Sequence, residues 1–247
     1  PQFERVFGPL GPLSTSWPYF VAVSAPTISA VVVSAAFGGL KGVRSLFAGL
    51  IRPFRLLWLI VASLAAPTAY VSWGLIERLI PGTGPRAIDI SAILVAPLLW
   101  FTTARIFLDP GPWGEETGWR GFALPRLLKL FSPLSAALML GAIWGIWHTP
   151  ALFAEGLSQF GLNFAWFLLV TICLSILMTW IYVNANGNYF IAGVIPHAVN
   201  NLLGFRAFHE IRVEALVYAG LVLLIIACFG PTLKGWRRSS QSIAAAA

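Results

Sequence analysis

Apolar residues along this chain come in blocks, not in alternation. Near-continuous hydrophobic stretches follow one another at about 17–37, 56–76, 90–108, 133–152, 164–183, 189–205 and 214–231. Each approaches the ~20 residues that a helix rising ~1.5 Å per residue needs to cross ~30 Å of hydrocarbon. An eighth stretch, 113–130, differs: its "EETGWRGFALPRLLKL" is amphipathic, is interrupted by Pro125 and carries too much charge for a helix surrounded by lipid. The pattern predicts an all-α, polytopic transmembrane bundle of seven to eight helices with an interior polar cavity. It reads as a single integral membrane domain over 1–247, with a catalytic core at approximately 90–205 and no internal repeat or long linker.

Composition agrees with the pattern. Hydrophobic residues make up 58% of the chain and charged residues 10%, with mean hydropathy +0.81, whereas ordinary soluble domains carry about a quarter charged residues. The net charge of +7 does not point to nucleic acid, because the cations sit in short connections between apolar blocks, where they act as topology signals facing anionic lipid. If seven helices cross, eleven of the sixteen cations fall on one side: Lys41, Arg44, Arg52, Arg55, Arg105, Arg120, Arg126, Lys129, Lys234, Arg237 and Arg238. The positive-inside rule then places that side, with the C-terminus, in the cytoplasm of a cell (plasma) membrane protein. On this topology 113–130 dips into the cytoplasmic leaflet or lies tilted. Cys173 and Cys228 lie inside apolar blocks without metal or disulfide spacing and read as small core residues. The sequence opens at Pro1 and ends in four alanines, the pattern of a fragment or trimmed chain.

Polar side chains at membrane depth cost a few kcal/mol and persist facing the bundle interior with a partner. The informative ones are Glu115, Glu116 and Arg120 in "GEETGWRG", His148 in "GAIWGIWHTP", and His197, Asn200 and Asn201 in "GVIPHAVNN". Taking 113–130 and 133–150 as an antiparallel pair turning near Phe131 and Ser132, equal walks outward bring Glu115 and His148 to one depth. Glu116 and Arg120, Trp144 and His148, and His197 and Asn201 are each spaced i,i+4 and share a helix face, while Asn200 points elsewhere. Each motif alone has a plainer reading: a helix-start ion pair, a satisfied histidine beside tryptophans, interhelical polar contacts. Together they suggest chemistry. A carboxylate beside an imidazole in a partly desolvated pocket can take a proton from water, and a second imidazole with an amide can hold an oxyanion, which is the requirement of a peptide-bond hydrolase. Glu115 is the expected base, with Arg120 holding Glu116 in a charge-assisted pair. Asn184, Asn186 and Asn188 read as a short turn; His209 and Glu210 read as solvated and Glu155 as interfacial. Ser63, Ser135 and Ser175 have no nearby base, and there is no H-E-x-x-H.

These motifs resemble the CAAX-protease and bacteriocin-processing (CPBP, or Abi) family of intramembrane endopeptidases, which includes the Ras-converting CAAX prenyl proteases. "EETGWRGFALPRL" is similar to its EExxxR motif, "WGIWHTP" to its F/WxxxH motif, and "HAVNN" to its HxxxN motif, in order across 113–201. The resemblance implies that Glu115 and His148 activate the attacking water, that His197 and Asn201 stabilise the oxyanion, and that Glu116 and Arg120 complete the first motif. Trp144, where the family commonly has Phe, is expected to change packing more than chemistry. Glu115, His148, His197 and Asn201 could equally form an N/O site for a divalent metal with an open water position; no tightly bound zinc and no other cofactor is expected. The implied partners are a peptide or lipidated protein substrate and membrane lipid. The alternatives from other classes are a transporter with a proton or ion pathway through the same residues, and a non-catalytic membrane scaffold.

Overall fold

The computed structural model describes residues 17–77, 109–207 and 211–234, so the expected span 90–108 and the residues His209 and Glu210 lie outside the described residues. Every apolar block within them is helical, and among the described residues there is no strand. The helices are α1 (Trp17–Ala48), α2 (Leu56–Glu77), α3 (Pro110–Glu116), α4 (Leu124–Leu127), α5 (Pro133–Trp147), α6 (Phe164–Asn184), α7 (Ile195–Ala207) and α8 (Ile211–Phe229). A π-helical turn over Thr117–Ala123 joins α3 to α4, and another over Phe190–Val194 leads into α7.

Trp17–Ile51, Phe164–Asn184 and Ile211–Thr232 are long and apolar enough to cross a membrane. The α6 helix is the central column: Val170, Cys173, Leu174, Leu177, Met178 and Ile181 are all buried. By contrast α1 and α8 turn large apolar side chains outward, with Phe37 91% and Leu223 66% exposed. An outward apolar surface around a packed interior is the arrangement lipid requires, and this is an integral membrane helical bundle. The α1 helix outruns its expected end at residue 37 because the break is one residue wide: Gly39 adopts φ 55, and the helix resumes through Lys41 and Arg44.

Asparagines in the 184–188 turn tie one end of the bundle together. Asn188 Nδ2 donates to the Arg52 carbonyl at 2.6 Å, Asn186 Nδ2 to the Pro53 carbonyl at 3.3 Å, and Asn184 Nδ2 to the Leu233 carbonyl at 2.7 Å. The basic 49–55 connection, that turn and residue 233 therefore share one end.

The stretch 110–127 is a rod of α3, π-helical turn and α4 running parallel to the first half of α1. Its contacts climb α1 in step: a Cβ on Gly114 would meet the Val23 carbonyl at 2.7 Å and one on Gly118 would strike the Pro26 carbonyl carbon, backbone against backbone. Gly114 and Gly118 form a small-xxx-small pair of the kind that lets membrane helices approach closely. Of the charges that made this stretch look unsuited to a lipid-surrounded helix, Glu115, Glu116 and Arg120 are buried in the bundle, where Glu116 pairs with Arg120. Gly141 and Gly145 do the same for α5, whose Cβ positions there would strike the Ile172 Cα at 2.6 Å and the Thr171 hydroxyl at 2.5 Å on α6.

Candidate active site

Asp109 opens the rod: its carboxylate Oδ1 accepts from the Gly111 amide at 2.9 Å as an N-cap, and Pro110 occupies the first helical position without an amide to satisfy. One turn on, Glu115 and Glu116 are 3% and 0% exposed, and Arg120 is likewise at 0%. These adjacent carboxylates face different partners.

Glu116 Oε1 accepts from Arg120 Nη1 at 3.0 Å and from His197 Nδ1 at 2.8 Å. The second bond joins the rod to α7 across 81 positions of sequence. Gly193 makes room for it, since a Cβ there would stand 2.5 Å from Glu116 Oε2. With Nδ1 bound to Glu116, Nε2 is the His197 nitrogen left for a ligand.

Glu115 faces α5. Its Oε2 accepts from the Trp144 indole N–H at 2.6 Å, and its Oε1 stands 3.9 Å from His148 Nε2. His148 Nδ1 lies 3.0 Å from the Trp144 backbone carbonyl. A carbonyl can only accept, so Nδ1 carries a proton and Nε2 is the nitrogen that faces Glu115. The ring is walled by Trp147 at 4.7 Å and Phe167 at 5.4 Å between centroids.

Trp144 is therefore the hub of the site. Besides its two bonds, its ring carries the Arg120 guanidinium at 4.6 Å and meets the edge of His197 at 5.2 Å. The sequence expectation that this residue affects packing more than chemistry is corrected here: a phenylalanine has no N–H to give Glu115. Asn201 Nδ2 donates to Asp109 Oδ2 at 3.1 Å, leaving one amide hydrogen uncommitted by that bond. The position of a Gly111 Cβ, 3.3 Å from Asn201 Nδ2 and 3.9 Å from Glu115 Oε1, places Asn201 beside the Glu115 carboxylate. Asn200 points away from the cluster, accepting from the Tyr218 hydroxyl at 2.8 Å and hydrogen-bonding the buried Glu214.

The structure thus brings Glu115, Glu116, Arg120, His148, His197 and Asn201 together. It adds Asp109, Trp144 and Tyr19, the last within coulombic reach of both Asp109 and Glu115. The Asp-Pro pair just before the motif was a legible helix-start signal for Asp109. Among the described residues, no group of three or more His, Cys, Asp or Glu side chains is placed to hold a metal ion.

Residues 86–203 match the family described as type II CAAX prenyl endopeptidase, Rce1-like. A curated relative, CAAX prenyl protease 2 of Methanococcus maripaludis, is 32% identical over 97 residues, which are 36% of this chain and 34% of the relative. The chain thus spans about a third of the length of the curated relative it matches.

Proposed function

We propose that this chain, whose segment 86–203 matches the Rce1-like CAAX endopeptidase family, hydrolyses peptide bonds of prenylated or otherwise membrane-held peptides through a water activated by Glu115 and His148. The observation that carries the reading is the 3.9 Å separation between Glu115 Oε1 and His148 Nε2, two proton acceptors that one water can bridge. Glu115 takes a proton from that water while its oxygen attacks the scissile carbonyl. The oxyanion then faces the Nε2–H of a His197 imidazolium, whose Nδ1–H stays on Glu116, and the free amide hydrogen of Asn201, and collapse returns the proton from Glu115 to the leaving amine. Glu116 and Arg120 touch no substrate: they position His197 through the shared Oε1. The relative's name supports a prenylated substrate, and the buried, tryptophan-walled pocket supports a site that keeps bulk water out. The basic end of the bundle faces the cytoplasm in this reading, together with the C-terminus.

The test is cleavage of a farnesylated CaaX-tail peptide by the full chain in detergent micelles. Glu115→Gln and His148→Ala are each expected to lower kcat by about 10²–10⁴, the usual contribution of a positioned general base. A chelator is expected to leave the rate unchanged. Activity within threefold of wild type in both variants would refute the mechanism, and loss with chelator alone would move the chemistry to a metal.

A further inference from the structure

The end of the bundle that carries the 49–55 connection holds a cavity of about 510 Å³ that the proposed chemistry does not use. It lies between α1 and the far end of the motif rod. Arg126 is ten residues beyond Glu116, or about 15 Å along the rod. Three cations line the cavity, Arg52, Arg126 and Lys129, against apolar walls that include Val33, Phe37 and Phe122. The segments that build it, 17–55, 117–131 and 182–189, contain no aspartate or glutamate.

All three cations are exposed, and none forms an ion pair among the described residues. Arg126 donates to the Phe122 carbonyl at 2.8 Å and lies 3.5 Å from the centre of the Phe122 ring, so its charge is steadied without being neutralised. Arg52 and Lys129 sit in the connections that end helices, the level at which phospholipid headgroups lie. Phe37, almost fully exposed, extends the apolar wall outward along α1. An occupant must therefore be anionic at one end and apolar at the other, and the volume falls within the ~300–1,000 Å³ of ordinary ligand pockets. We infer that this cavity binds the phosphate of an anionic phospholipid, with its acyl chains lying along Val33 and Phe37. Basic pockets between membrane helices take headgroups in this way, and a soluble phosphate would have no use for the apolar wall.

The experiment is native mass spectrometry of the full chain in detergent, titrated with phosphatidylglycerol or phosphatidylcholine. Phosphatidylglycerol is expected to bind one saturable site at least tenfold more tightly than phosphatidylcholine, and excess inorganic phosphate should not displace it. Arg126→Gln/Lys129→Gln should weaken binding about 30-fold and Arg52→Gln about fivefold, at roughly fivefold for each cation near the surface. Arg44→Gln/Arg55→Gln, with the same loss of charge outside the cavity, should stay within twofold of wild type. Equal losses in the two double variants would reduce the effect to general charge attraction and overturn the site. So would equal affinity for the two lipids, or displacement by phosphate. If the cavity double variant does not fold, Arg52→Gln and the two lipid titrations on wild type decide the matter.

Discussion

Trp144→Phe separates the site's hydrogen bonding from its packing. The substitution keeps an aromatic ring near Arg120 and His197 but removes the indole N–H that stands 2.6 Å from Glu115 Oε2. Hydrogen bonds to charged groups contribute about 1.5–3 kcal/mol, and leaving a buried carboxylate oxygen unpaired costs a similar amount. If Glu115 depends on this donor for its orientation, that energy appears in the barrier; at ~1.36 kcal/mol per tenfold, kcat/KM should fall about 10- to 150-fold. Stability should respond less, because polar contacts between membrane helices average only ~0.6 kcal/mol, up to ~1.7, in double-mutant cycles. The assay pairs peptide cleavage with thermal unfolding in the same detergent, using Trp147→Phe as the control, since Trp147 meets the site through an edge-on ring contact with His148. The reasoning fails if Trp144→Phe keeps kcat/KM within threefold of wild type. It fails equally if Trp147→Phe loses as much activity as Trp144→Phe, for then ring packing alone accounts for the effect.

Glycine substitutions should divide by location: Gly118→Ala, whose new Cβ would strike the Pro26 backbone, should cost about 1–3 kcal/mol as an overpacked contact. Gly220→Ala, with nothing within 4 Å, should raise stability by up to ~1 kcal/mol through helix propensity, both read as shifts in Tm. Arg120→Met should destabilise by about 3–5 kcal/mol because it strands a buried carboxylate, and adding Glu116→Gln should recover part of that loss; additive losses in the double variant would contradict the pairing. Asp109→Ala should lower stability by about 1 kcal/mol through the lost N-cap and also lower kcat through Asn201. Asp109→Asn, which can still cap, should keep the Tm and separate the two effects.

The hairpin centred near Phe131 placed Glu115 and His148 at one level from sequence alone, and i,i+4 spacing gave the Glu116–Arg120 pair. Both are local rules of helix geometry. The Glu116–His197 bond was not legible, because the 81 positions between its partners include helices whose tilts no periodicity specifies. Trp144 was seen on the His148 face but read as bulk, since hydropathy records the indole ring and not its N–H. The packing of 113–130 against α1 was not legible either. Charge was counted as a property of the segment, whereas its membrane compatibility depends on which way the charges face and on what meets them. The Gly114 and Gly118 spacing that sets the approach to α1 was present in the motif, masked by the carboxylates between them.

The π-helical turn at Thr117–Ala123 acts as a phase shifter. An added residue in a helix advances everything beyond it by about 100° around the axis. Upstream of the turn the rod aims Glu115 and Glu116 at His148 and His197; downstream it aims Arg126 and Lys129 at the basic cavity beside α1. Two azimuths that a regular helix would lock to a single period can be set separately here. Deleting one residue from the turn would leave the carboxylates with their histidines and swing the cationic end out of its groove. The carboxylates and the cationic end thus share one rod while their directions around its axis are set independently.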